Sequence, residues 1–237
     1  YTQGSKWTTM GYSTILGMIN NVGQPVFREA SEDRQRLQNI FHKLLRFTAF
    51  VCFPAMFGLA IVAQELIVLS VTDKWLPCVP IMQILCVWGA FMPISTLYSN
   101  LMNSLGRPNI YMWNTIGLGV FQLICLWFSY SHGLQIMLII YTTANILWLL
   151  VWQHFAHKYA GILLFDVLKD ITPYLILSVV AVGTAYIVAS RIENIFLSLM
   201  LKIVLAAAIY LFCMWRLKSQ VFRESLQYLV KKKKIQQ

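Results

Sequence analysis

Six polar or small residues recur at helical spacing near the start of the chain: Lys6, Thr9, Ser13, Gly17, Asn20 and Gln24 stand 3, 4, 4, 3 and 4 apart. That spacing makes one continuous face of an α-helix. The stretch carrying it, KWTTMGYSTILGMINNVGQPVF, is otherwise largely apolar. Lipid penalises such a face, so it must meet protein or water. One reading is the lining of a polar cavity. The other is a tight helix–helix contact made by small and hydrogen-bonding residues. A lysine and two amides are more than packing asks for.

Other residues with chemical capacity are scattered. The loop REASEDRQRLQN (28–39) is the most charged stretch outside the tail, and Asp33 can cap the helix that follows it. Lys43 and Arg46, one turn apart, read as snorkelling to the membrane interface. Lys202 sits in the apolar run FLSLMLKIVLAAAIY and reads the same way. His154 and His157 are three apart, a spacing that places two imidazoles on one helical face. Neither a cysteine nor a carboxylate stands near them in sequence, so no metal site is expected. The five cysteines, Cys52, Cys78, Cys86, Cys125 and Cys213, form no C-x-x-C pair, so no zinc site or disulfide framework is implied.

Catalytic signatures are missing from the chain. It has no G-x-S-x-G, P-loop, H-E-x-x-H or dinucleotide fingerprint. It holds nine acidic residues in all, with Glu65 nearest to membrane depth. A pair of catalytic carboxylates has no material here. The expectation is a protein that moves, binds or scaffolds, without enzymatic activity and without a cofactor.

The elements that must position these residues are membrane helices. Of the 237 residues, 58% are hydrophobic and 12% charged. Apolar stretches near 8–27, 40–63, 78–101, 109–130, 134–153, 171–190 and 194–215 are each long enough to span a bilayer. The fold class expected is all-α, a polytopic membrane protein of about seven transmembrane helices. Pro54 and Pro93 fall inside two spans, where proline kinks or loosens a helix. Asn114, Thr115, Gln122, Thr142, Thr143 and Asn145 read as polar glue between helices. The short amphipathic stretch 161–169 reads as lying in the interface.

The net charge of +10 follows topology, and no nucleic-acid partner is expected. With the 28–39 loop placed in the cytoplasm, that side carries Arg28, Arg34, Arg36, Arg107, Lys158, Lys169 and the basic residues of 216–237. The opposite side carries Lys6, Lys74 and Arg191. The positive-inside rule then puts the tail, with its KKKK run at 231–234, in the cytoplasm. That run is also suited to contact with anionic membrane lipids.

Three blocks in order resemble the polysaccharide transporter (Wzx-type flippase) family of the MOP exporter superfamily, which also holds the MATE proteins. They are NNVGQPVFREASEDRQRLQNIFHKLLRFTAFVCFPAMFGLAIVA, ELIVLSVTDKWLPCVPIMQILCVWGAF and NLMNSLGRPNIYMW. In the second, Thr72 stands where the family has glycine and Cys78 where it has alanine. The last three spans match in hydrophobicity alone.

The resemblance implies two helical lobes plus two extra C-terminal helices. The chain, which begins at Tyr1, is then expected to be the C-terminal part of a longer protein. Its domains would be a partial MATE-like lobe over 1–156, two additional transmembrane helices over 157–217 and a basic cytoplasmic tail over 218–237. The function implied is the flipping of undecaprenyl-diphosphate-linked oligosaccharide across the bacterial inner membrane by alternating access. Partners would be that lipid-linked oligosaccharide, membrane lipids, the missing N-terminal half and polysaccharide assembly proteins. Under this reading the substrate-binding residues are Lys6, Thr9, Ser13, Asn20, Gln24, Arg28 and Arg46, the cations meeting the diphosphate and the amides the sugar hydroxyls. The alternatives are a MATE-type small-molecule exporter, disfavoured by the sparse intramembrane acids, and a membrane-embedded glycosyl- or acyltransferase.

Overall fold

The structure is a computed structural model that describes residues 2–70, 73–130, 133–190, 192 and 194–216. Within the first helix it describes the side chains of Thr9, Ser13, Leu16, Ile19, Asn20 and Asn21 and those from Pro25 and Gln24 onward. The tail and Arg191 lie outside the described residues. The elements are α1 (Thr2–Glu29), α2 (Arg34–Ile61), α3 (Ala63–Ser70), a 3-10 turn (Asp73–Cys78), α4 (Val79–Ser104), α5 (Pro108–Ser129), α6 (Leu134–Ala160), α7 (Leu164–Ala189) and α8 (Ile195–Arg216). No strand occurs among the described residues, as the all-α expectation requires.

Six of these segments are long and apolar enough to cross a membrane, running from α2 to α8 with α3 excepted. The chain is a multi-pass membrane protein. The expectation of about seven spans agrees with this, and among the described residues α1 is not one of the six. Its 28 residues suffice in length, but its polar face holds its hydropathy down.

Local signals explain the boundaries. Asp33 caps α2, its carboxylate accepting from the backbone N–H groups of Gln35 and Arg36 at 2.9 and 3.1 Å. Pro80 opens α4 and Pro108 is the first residue of α5, where a missing N–H costs nothing. Gly106, at φ 69°, makes the turn between α4 and α5. Of the stretch 161–169, residues from Leu164 onward are the first turns of α7, which runs unbroken to Ala189.

At the centre lies α4, touching α1, α2, α5 and α6. Phe27, Phe41, Phe53, Met82, Leu97 and Tyr98 are buried among these helices. Phe27 stacks on Phe41 with ring centroids 6.2 Å apart, and Phe41 meets Tyr98 at 5.1 Å. Lipid tails are as apolar as leucine, so such contacts stabilise by close packing more than by leaving water. Between α5 and α6 the expected polar glue is present. Gln122 donates to Asn145 at 2.9 Å, and the Trp148 indole donates to Asn114 at 2.7 Å. Thr115 instead bonds the Tyr111 carbonyl of its own helix.

The pair α7–α8 packs on α2, and Pro54 supplies one reason. It has no N–H for the Phe50 carbonyl one turn back, and the Tyr210 hydroxyl of α8 donates to that carbonyl at 2.9 Å. Tyr210→Phe is expected to cost about 1 kcal/mol of stability, the usual size of such a bond in a membrane protein. Pro54→Ala in the same background should return most of it by restoring the helical donor. Unfolding midpoints of the single and double variants in detergent check this. Additive losses would mean that Tyr210 does not serve the proline break.

Candidate functional site

The polar face of α1 is built as its spacing predicts. Ile19, Gly23, Phe27 and Ala30 turn inward and are buried. Thr9, Ser13, Asn20, Gln24 and Arg28 are exposed on the other side. Nothing approaches the position of a Cβ at Gly17, so the face is open there too. One buried residue ties the face to the interior. Asn100 of α4 donates to the Asn20 side-chain oxygen at 3.1 Å and lies 3.5 Å from where a Gly23 Cβ would stand. Glycine at 23 therefore lets α1 lie close to the Asn100 amide. Pro25 adds a further acceptor, because it offers no N–H to the Asn21 carbonyl.

The sequence-predicted residues divide accordingly. Thr9, Ser13, Asn20, Gln24 and Arg28 share the open face. The Lys6 side chain lies outside the described residues. Arg46 is not brought to this face. It stands on the side of α2 that meets α7, 3.5 Å from the Asp170 carboxylate.

Arg46 belongs to a second cluster that the sequence reading did not assemble. Arg34, Gln38, His42 and Arg46 recur every four residues on α2. Arg34 and Gln38 donate to the Ala160 carbonyl at 3.2 and 2.8 Å. The His42 imidazole meets Asp170 at 2.6 Å. Near the same corner Gln153 donates to the Ile162 carbonyl at 2.9 Å and accepts from the Tyr98 hydroxyl at 2.6 Å. The four-residue spacing was a visible signal, but the partners on α6 and α7 were not. This stripe fastens the α6–α7 corner to α2 and α4.

Lys202 corrects another expectation. It does not snorkel. It is buried and ion-paired with Glu65, and it donates to the Ile61 carbonyl at 3.1 Å. Burial of Glu65 on α3 makes this internal partner available, so the ammonium has no reason to seek the interface.

Between α2, α7 and α8 lies a cavity of about 540 Å³. Phe50, Pro54, Ala181, Ala207 and Leu211 are among its lining residues, and polar atoms are few. Such a space suits an alkyl chain and offers little to a sugar. His154 and His157 are both exposed. Among the described residues no group of three His, Cys, Asp or Glu could hold a metal ion.

Comparison with known proteins finds matches to part of the chain. Residues 1–80 match the family described as Polysaccharide biosynthesis protein. An "Uncharacterized membrane protein in cps region" of Klebsiella pneumoniae is 32% identical over 98 residues, 41% of this chain and 20% of that protein. "Lipopolysaccharide biosynthesis protein WzxC" of Escherichia coli (strain K12) is 30% identical over 93 residues, 39% of this chain and 19% of that protein. "Teichuronic acid biosynthesis protein TuaB" of Bacillus subtilis (strain 168) is 22% identical over 116 residues, 48% and 24% of the two chains. The matched part thus spans about a fifth of the length of these curated relatives. No solved structure matches the chain. Over the residues that match, the chain is similar to polysaccharide-biosynthesis membrane proteins, one of them of the Wzx type.

Proposed function

We propose that the chain is part of a flippase that carries lipid-linked oligosaccharide across the bacterial inner membrane by alternating access. The observation that carries this reading is the open polar face of α1, set on an otherwise apolar bundle. Such a face is unstable against lipid, and a water-filled cavity shared with further helices would satisfy it. It also falls inside the stretch that matches the polysaccharide family.

In this reading Lys6 and Arg28 meet the diphosphate. Asn20, Gln24, Thr9 and Ser13 exchange hydrogen bonds with sugar hydroxyls, and Asn100 holds Asn20 in place. Arg46 is not assigned to substrate, because Asp170 already answers its charge. The isoprenyl tail stays in the bilayer, and the apolar cavity between α2, α7 and α8 gives it a seat beside the helices that follow the lobe. The loop 28–39 and the tail face the cytoplasm, in accord with the basic residues there. The protein acts by binding and reorienting its cargo, without a chemical step.

The test is made in the producing bacterium with the complete gene product. Arg28→Gln combined with Gln24→Ala should reduce surface polysaccharide at least several-fold at unchanged protein level. The lipid-linked intermediate should accumulate on the cytoplasmic leaflet. Unchanged polysaccharide would remove the α1 face from the mechanism. Loss of polysaccharide without accumulated intermediate would place the protein at an earlier step and overturn the flippase reading.

A further inference from the structure

The corner where α2 gives way to α3 holds an oxygen cluster with an unusual occupant. Helix α2 ends at Ile61, and a new helix starts after the single residue Val62. The last carbonyls of a helix lack internal donors and carry partial negative charge. Ile61 contributes one such carbonyl. Glu65, in the first turn of α3, contributes a carboxylate. Ser198 of α8 donates its hydroxyl to Glu65 Oε1 at 3.1 Å. Into this set reaches Lys202, with its ammonium on Ile61 O and Glu65 Oε1 and 5.1 Å from the centroid of the Tyr186 ring.

One atom does not fit a purely structural ion pair. Glu65 Oε2 is buried and has no hydrogen-bond partner, although the Glu65 side chain is only 10% exposed. A carboxylate held simply for stability is better served by arginine, whose fork satisfies both oxygens. Lysine is a point charge and answers one. The corner therefore keeps an unused anionic oxygen where water is scarce.

We propose that Ile61 O, both Glu65 oxygens and Ser198 Oγ form a monovalent-cation site in which the Lys202 ammonium takes the place of the ion. The donor set is all hard oxygen with one net negative charge, which suits an alkali cation. A dedicated calcium site would gather six or more oxygens and more charge. Breaks between helices, with freed carbonyls at their C-terminal ends, are where membrane proteins coordinate such ions. When α8 is docked, the tethered cation fills the site. When α8 moves away, taking Ser198 with it, Ile61 O and the two Glu65 oxygens are left for sodium, potassium or a proton. Docking of α8 is then linked to cation binding, because whatever binds the undocked form favours it. This inference does not depend on what the protein transports.

Purified protein in detergent tests it, with unfolding midpoints measured in sodium, potassium and choline chloride at equal ionic strength. The unaltered protein and Lys202→Arg are expected to be indifferent to the choice of salt. Lys202→Met should be destabilised in choline and should regain several degrees, saturably, with sodium or potassium. Glu65→Gln in the Lys202→Met background should lose that response. A Lys202→Met midpoint identical in all three salts overturns the proposal, as does an equal response in the double variant. If Lys202→Met folds in no salt while the double variant folds, the bared carboxylate finds no cation, and the proposal fails.

Discussion

Alanine at position 161 is expected to lower the stability of the chain by about 2–3 kcal/mol, the sum of backbone strain and a lost hydrogen bond. Gly161 ends α6 in the left-handed conformation, at φ 74°, where any residue with a Cβ is strained by about 1–2 kcal/mol. The added Cβ would also fall 2.2 Å from Arg34 Nη2. The guanidinium must then leave, and its bond to the Ala160 carbonyl, worth about 1 kcal/mol, goes with it. A cycle with Arg34→Ala separates the two terms. Arg34→Ala alone should cost about 1 kcal/mol, for the lost bond. Gly161→Ala added to it should then cost only the strain. Full additivity in the unfolding midpoints would mean that the close approach of Arg34 to Gly161 has no energetic weight.

The other large loss is expected from Asp170→Ala. It takes away the carboxylate that both the His42 ring and the Arg46 guanidinium contact. Breaking a fully buried pair costs about 3–5 kcal/mol. Here the side chains of His42, Arg46 and Asp170 are 19%, 32% and 14% exposed, and partial solvation reduces the loss to about 2 kcal/mol. Asp170→Asn keeps an acceptor for the imidazole and should cost less than half as much. Disulfide trapping between α2 and α7 adds a geometric readout. The crosslink should form fully in the unaltered background and poorly with Asp170→Ala. Equal trapping and equal midpoints would show that apolar packing alone holds α7 on α2.

How much of this was legible beforehand differs from element to element. The 20-residue scale of a bilayer makes long apolar helices readable from hydropathy alone. The polar face of α1 was legible because helical periodicity sorts residues onto faces without reference to any partner. The cap at Asp33 is chemistry of neighbouring residues, and it stands where the sequence places it. Length and periodicity did not separate α1 from the apolar spans. Its polar residues keep it out of the six that qualify.

What the sequence left out of view shares one cause. Lys202 was read against the membrane interface, since its partner Glu65 lies 137 residues away and sequence alone does not bring them together. Arg46 was expected to meet an anion, and the structure sets it 3.5 Å from Asp170, 124 residues away. The stretch 161–169 gives no sign by itself that its residues from Leu164 onward continue into a helix as long as α7.

The amino-acid sequence by itself determined the solvent of this protein, the rough extent of its apolar helices, the cap at Asp33 and the face of α1 that must avoid lipid. These follow from local spacing, side-chain polarity and the fixed thickness of a bilayer. Only the tertiary structure decided which charges are spent inside the fold and which remain open. Arg46 and Lys202 are answered by Asp170 and Glu65, while Arg28 is exposed. Pairing between distant residues depends on which helices become neighbours, and that is settled by packing among nearly uniform apolar surfaces.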